Sequence, residues 1–279
     1  LAGFARVERP DDARAIAAAT REIGAKAGKV QRLFAVLEQL QLTVAIAREL
    51  AGVPGMNVAT VRRFRDKSEM KKAFESAGVP CARYARIEST ADAREFVQRV
   101  GLPAILKPVA GVGTQGTTRI TNEQELHLAL QLARPSAANP MQLEEMLQGT
   151  EHTFETVSID GKLVWSSSTD YIPGPLQVVE TPWIQYCVVL PRETAAMARF
   201  KPTNDAALKA LGMGTGISHM EWFARRDGTV AVNEVGARPP GVNIMPLMSH
   251  AHGVDMVERW VGLMARDEFE PVARVKAAG

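Results

Sequence analysis

The sequence predicts a mixed fold, α/β at its start and α+β beyond it, and three observations carry that reading. Apolar and helical segments alternate as β-α-β-α over residues 1–53, the order of a small parallel sheet covered by helices. Two Asp-Gly pairs, Asp160-Gly161 and Asp227-Gly228, lie between strand-like apolar runs and mark antiparallel hairpins. Between these regions the helical stretches carry their own start and stop residues.

Residues 1–7 are an apolar strand candidate, followed by a helix over about 10–25 that Pro10 is placed to begin. A second strand at 32–36 and a helix over 40–50 complete the unit, and Gly52-Val-Pro-Gly55 breaks it. The helix from Asp66 to Gly78 has Asp66 as cap, Glu69 completing a capping box, and Met70, Ala73, Phe74 and Ala77 as its apolar stripe. Lys67 therefore sits in the first turn, the end where the helix dipole disfavours a cation. A capped helix spans 90–100 and ends at Gly101, and a short apolar strand spans 103–108. A Gly-rich loop over 109–116 leads to a strand at 117–120, and Asn122 with Glu125 starts a helix reaching 133. Residues 141–147 form a strand ending in acids. Strands 152–159 and 162–168 flank Asp160-Gly161, and 170–184 reads as an irregular excursion. A strand near 186–190 precedes helical residues on either side of Pro202, where a break or kink is expected. Strands 217–224 and 229–235 flank Asp227-Gly228, a Pro/Gly loop covers 237–241, and a last helix covers 254–266.

Composition removes several classes of function. The 279 residues carry 33 basic and 31 acidic side chains, a formal charge of +2, interleaved along the chain. That argues against a polyanion binder, and the short basic run 62–67 is interrupted, so no nucleic-acid partner is expected. Charges interrupt every apolar stretch well before the ~18 residues of a membrane span. No signal peptide is visible, and Cys81 and Cys187 lie far apart in no metal spacing, as thiols of a reducing compartment do. The expectation is a cytoplasmic protein without a membrane partner.

Four constellations could carry chemistry. A two-residue turn at Asp227-Gly228 would set Glu221 directly opposite Glu234. Facing carboxylates repel unless a cation lies between them or one is protonated, and two of them suit Mg²⁺. The other reading is a solvated pair of glutamates. Lys107 leads into the loop of Gly111, Gly113, Thr114, Gln115 and Gly116, whose backbone N–H groups could wrap a phosphate; a plain flexible hairpin is the alternative. Backbone groups around Glu145, Met146 and Leu147 could meet an adenine edge and Glu151 a ribose, or the segment could form an acidic edge strand. Arg238 could hold an anionic substrate or a developing oxyanion, or make a surface ion pair. His219 shares the strand face of Glu221 and is a weaker substrate candidate, as Arg238 also is. For His250 and His252 a packing or capping role outweighs metal ligation.

The order of these signals is more specific than any one of them. Lys67, Lys107 before a Gly-rich hairpin, Glu144-Glu145 with Glu151, then Glu221 and Glu234 with Arg238 resembles the ATP-grasp superfamily, nearest its carbamoyl-phosphate-synthase-like and amino-acid-ligase-like branches. The resemblance implies two α+β lobes clasping ATP, preceded by part of a small parallel α/β domain. It divides the chain into 1–65 (partial preceding domain), 66–140 (small lobe with the lid hairpin) and 141–279 (large lobe with the metal site), with the N-terminus expected to be truncated. It makes Lys67 and Lys107 the phosphate contacts, 110–116 the lid, 144–147 the adenine hinge, Glu151 the ribose contact, Glu221 and Glu234 the ligands of Mg²⁺ (or Mn²⁺), and Arg238 with Lys107 the catalytic cations. The family commonly places Asn two residues after the second metal glutamate. Gly236 stands there in this chain, and Asn233 would point to the opposite face of a regular strand.

The implied activity is that of an ATP-dependent carboxylate–amine (or carboxylate–thiol) ligase working through an acyl phosphate on small-molecule carboxylate and amine substrates. The alternatives are a bicarbonate- or carbamate-phosphorylating subunit and a non-catalytic ATP-binding module. A homodimer is left open.

Overall fold

Helix α1 (Ala13–Ala27) is capped by Asp12, whose side chain accepts from Arg14 N and Ala15 N, and its first residue comes three residues later than Pro10 suggests. A 3-10 turn, Glu38–Leu40, leads into α2 (Gln41–Ala51), which packs on α1. The structure, a computed structural model, describes residues 3–111, 115–181, 183–185, 187–191 and 195–275. Within them, 3–12 and 28–37 form no strand, so the parallel β-α-β-α unit read from the sequence is not built. The apolar run 32–36 is used for packing instead, with Phe34 edge-on to Trp260 at 5.4 Å between ring centroids. Apolar character alone does not make a strand when no neighbour offers a ladder.

Helix α3 (Val58–Arg65), capped by Asn57, has no counterpart in the sequence reading. Asp66 ends α3 and begins α4 (Lys67–Ser76): its N–H goes to Arg62 O while its carboxylate takes Ser68 N and Glu69 N. The expected Glu69 half of the capping box is not made, because the N–H it would satisfy is already the last bond of α3.

Strands β1 (Tyr84–Ile87), β2 (Ala104–Pro108), β3 (Thr118–Ile120) and β4 (Met141–Glu145) form an antiparallel sheet in the order β1-β4-β2-β3. Helices α5 (Thr90–Val100), with a complete Ser89/Asp92 capping box, and α6 (Glu123–Ala133), capped by Asn122, cover one face through Phe96, Ala93, Leu126 and Leu130. Strand β4, which the sequence places at the start of the large lobe, is thus an inner strand of the small-lobe sheet.

The second sheet is β5 (Gly149–Ile159), β6 (Lys162–Ile172), β7 (Cys187–Val189), β8 (Gly216–Arg225) and β9 (Val230–Gly236), ordered β7-β6-β5-β8-β9 and antiparallel throughout. Asp160-Gly161 makes the expected tight turn, with φ of 49° and 75°. The stretch read as irregular holds the end of β6 and a short helix, α7 (Pro175–Glu180), begun by its proline. Helix α8 (Ala195–Leu211) runs through Pro202 without the expected break. A proline removes one ladder bond, and the burial of Phe200, Ala207, Leu208 and Leu211 against the sheet, each large side chain contributing about 1.5–3 kcal/mol, holds the two halves together. Helices α9 (Ile244–His252) and α10 (Met256–Arg266) follow. Among the described residues no helix is long and apolar enough to cross a membrane.

Strand alternation sorts the second sheet into two faces. Phe154, Met220, Trp222 and Val232 pack on α8 and, from the first lobe, on Met70 and Phe74 of α4; Trp222 stacks on Phe200 at 4.1 Å. The opposite face sends Val157 and Ile217 under α9 and α10. Further along that same face stand Glu151, Glu155, His219 and Glu221.

Candidate active site

A cleft of about 1000 Å³ separates the two sheets, lined by residues of both. Lys67, Lys107, Glu144, Glu145, Met146, Leu147, Glu151, His219, Glu221, Glu234 and Arg238 all reach its wall, so residues spread over 172 positions of sequence converge. Gly111, Gln115 and Gly116 do not line it: the lid side contributes Thr117 and Arg119 instead. Gly113 and Thr114 lie outside the described residues. Gly116 has φ +72°, and a Cβ there would meet Pro108 at 3.0 Å, so glycine is required by the turn itself.

The small-lobe wall is organised by charge. Glu144 is buried and receives Lys107 Nζ at 2.9 Å, Lys71 Nζ at 3.6 Å and Gln142 Nε2 at 2.5 Å. Burial works to raise its carboxyl, but Lys107 and Lys71 outweigh that and hold it at about 2. Burial also lowers Lys71, whereas for Lys107 the attraction of Glu144 and Glu234 overcomes burial and raises it. The Glu144 side chain is therefore a buried counter-ion that fixes Lys107. Glu145 is likewise engaged, accepting from Arg83 N at 2.9 Å and Arg83 Nε at 2.6 Å. Met146 N donates to Pro103 O at 3.2 Å, which ties the connector between the sheets to the small lobe.

The large-lobe wall is acidic. Glu221 and Glu234 are direct cross-strand partners, as the sequence suggests, but for a different reason. The loop is not a two-residue turn: Arg225 N bonds Thr229 O, leaving three residues, with Gly228 at φ +80°. That slips the register by one, and a bulge at Asn233 slips it back, so that Trp222 pairs with Val232 while Glu221 pairs with Glu234. The bulge also overturns the expected direction of Asn233, which reaches the cleft, with Lys107 Nζ 3.4 Å from its Oδ1 and its Nδ2 donating to Glu221 Oε2 at 3.3 Å.

Lys67 Nζ stands 2.8 Å from Glu234 Oε1. Burial would raise Glu234, but Lys67 and Lys107 lower it; burial and the Glu234 charge raise Glu221. Burial and Glu221 push Glu151 up to about 8. Behind Glu221, His219 Nδ1 lies 2.8 Å from Glu155 Oε1, and its Nε2 lies 3.9 Å from Glu221 Oε1.

Arg238 is held by a residue the sequence reading missed. Its Nε donates to Glu38 Oε2, and Arg65 reaches Glu38 Oε1 at 2.5 Å. A Cβ at position 236 would lie 3.1 Å from Glu38 Oε2, so Gly236 leaves the room this carboxylate occupies. Nothing local in the sequence around Glu38 marks it. Lys71 was legible in principle, one helical turn from Lys67.

Carboxylates and an amide are hard oxygen donors, and two carboxylates with substrate phosphates and water are what Mg²⁺ takes. Among the described residues no group of three His, Cys, Asp or Glu is placed to hold a metal unaided. The facing pair, its raised member and the Lys67 ammonium already drawn to it fit a divalent cation.

The ATP-grasp domain model matches residues 72–242, more than half of the chain. The chain belongs to the ATP-grasp family. This ATP-grasp protein is 28% identical over 239 residues to the alanine–anticapsin ligase of Bacillus subtilis (strain 168), covering 77% of this chain and 50% of that one. It is 27% identical over 224 residues to the D-alanine–D-alanine ligase of Mycobacterium ulcerans (strain Agy99), covering 74% and 60%. Among solved structures, the L-amino acid ligase from Bacillus licheniformis superposes with a TM-score of 0.75 at 21% identity, over 91% of this chain and 61% of that one. The N5-carboxyaminoimidazole synthetase from Staphylococcus aureus, complexed with ADP, gives 0.78 at 15%, over 97% and 68%. The chain thus spans about half the length of the first of these relatives and has the ATP-grasp fold.

Proposed function

We propose that this chain is the ATP-binding catalytic part of a ligase that joins a carboxylate to an amine through an acyl phosphate. The observation that carries the reading is the convergence, on one cleft, of the facing Glu221/Glu234 pair with Lys67, Lys107 and Arg238. A carboxylate oxygen attacks the γ-phosphorus of ATP, the bond to the bridging oxygen breaks, and ADP leaves with that electron pair. The amine nitrogen then attacks the acyl carbon, phosphate leaves, and the amine loses a proton.

The difficulty is electrostatic, because nucleophile and phosphate are both anions. Lys107, fixed by Glu144, and Lys67 supply positive charge toward the nucleotide's phosphates, and Arg238, fixed by Glu38, supplies it toward the carboxylate. Glu221 and Glu234 would hold the divalent cation, whose chemistry is to neutralise charge on the transferring phosphoryl group. The Arg119–Glu180 ion pair, 2.9 Å long between β3 and α7, links the two lobes at the cleft wall, where closure would exclude water.

The relatives' names, alanine–anticapsin ligase, D-alanine–D-alanine ligase and L-amino acid ligase, support amino acids as the substrate class. The test is ADP and phosphate release measured against amino acids singly and in pairs, with bicarbonate as a separate arm. Release that requires an amino acid is expected. Release with bicarbonate alone would move the reading to a carboxyphosphate-forming subunit, and no release under any condition would reject catalysis by this chain.

A further inference from the structure

The bulge in β9 places a third oxygen-bearing side chain against the two glutamates. In a regular strand Asn233 and Glu234 would point to opposite faces. Here the pairing skips Asn233, and both side chains line the cleft. The irregularity is held from outside the hairpin. Val232 N donates to Pro80 O at 2.8 Å, and Val232 O accepts from the buried Lys71 Nζ at 3.2 Å. Both partners belong to the first lobe, so the residue just before Asn233 is clamped by the segment that also carries Lys67. A bulge so anchored is a built feature, and its effect is to aim one amide.

We propose that Asn233 is an oxygen donor of the divalent-cation site, acting from the bulge beside Glu234 and Glu221. The proposal rests on the assignment of those two glutamates as ligands and extends it. Asn233 Nδ2 lies 3.3 Å from Glu221 Oε2. Rotating the amide by half a turn puts Oδ1 at that place, and two adjacent ligands of an octahedral Mg²⁺ at 2.0–2.1 Å are about 3 Å apart. The rotation gives up the long 3.4 Å contact from Lys107 Nζ to Oδ1, and Lys107 has its closer partner in Glu144 at 2.9 Å. A neutral donor also suits the position, since a third carboxylate would add repulsion to a pair that is already mutually repulsive. Position 236, two residues on, cannot serve: it is glycine, and Glu38 fills the space its side chain would need.

The test is Mn²⁺ binding to the full chain with a nonhydrolysable ATP analogue, followed by the loss of the free-ion electron paramagnetic resonance signal. Asn233→Leu removes the donor at similar volume, and Asn233→Asp retains one. Asn233→Leu is expected to weaken Mn²⁺ binding by about tenfold or more, while Asn233→Asp binds as well as the parent or better. If Asn233→Leu does not fold, Asn233→Ala takes its place in the same titration. A titration of Asn233→Leu superimposable on the parent, or Asn233→Asp weakened as much as Asn233→Leu, overturns the proposal alone. A parent chain that binds no Mn²⁺ overturns it together with the metal assignment, and neither outcome depends on which substrate is joined.

Discussion

Replacing Glu144 by Gln tests whether the small-lobe wall is the charge-balanced unit described above. The wild-type carboxyl is held near 2 against an ordinary value of 4.5, a depression equivalent to about 3 kcal/mol of stability at pH 7. Its side chain is 4% exposed, so solvent screening discounts this little. Gln keeps the volume but removes the carboxylate that Lys107 meets at 2.9 Å and Lys71 at 3.6 Å, leaving only the more distant Glu234 and Glu221. About 3–5 kcal/mol is the general cost of breaking a buried pair. For a protein whose whole stability is about 5–15 kcal/mol this is a large fraction. Urea unfolding followed by circular dichroism at pH 7 should show the loss as a lower midpoint at unchanged slope. The contribution is present above pH 4.5 and disappears as the pH falls through 2, so the acid-side decline should be shallower in Glu144→Gln than in the parent, the rest being carried by other lowered carboxylates such as Glu234 and Asp92. Adding Lys71→Met should recover part of the loss by removing one uncompensated cation. A Glu144→Gln variant within about 0.5 kcal/mol of the parent, or a double variant no better than the single, would refute the electrostatic account.

Three further outcomes are expected. Glu234→Gln should abolish ADP release while its circular dichroism spectrum stays that of the folded parent, with a lower unfolding midpoint because Lys67 loses the carboxylate 2.8 Å away; undiminished turnover would remove Glu234 from the metal site. Gly236→Ala should crowd Glu38 Oε2, which a Cβ meets at 3.1 Å, loosening Arg238 and lowering kcat by about tenfold or more, with KM for ATP little changed. Glu151, raised to about 8, is protonated in the folded protein across a range where the unfolded chain is ionised. Parent stability should therefore fall as the pH rises from 4.5 to 8, and Glu151→Gln should flatten that stretch of a stability–pH series.

Local signals were the legible ones. Asp66 and Asn122 cap the helices they were read to cap, because a side-chain oxygen facing the next turn's N–H groups is decided within four residues. The Asp160-Gly161 turn followed from the same short range. The N-terminal strands failed because pairing is a property of two segments, and the 32–36 run found Trp260 rather than a strand. The opposition of Glu221 and Glu234 was reached through a turn of the wrong length, which the bulge at Asn233 compensates.

What the residues determined unaided is the chemistry available: two lysines, two facing acids, an arginine and a glycine-rich loop, in an order that points to nucleotide phosphates. What folding in three dimensions decided is which of those groups are free to act. Glu144 became a buried counter-ion, Asn233 turned into the cleft, and Arg238 was fixed by Glu38, 200 residues earlier. The reason is that a charge or hydrogen bond takes its strength from distance and burial, and only the closing of the two lobes on one another sets either.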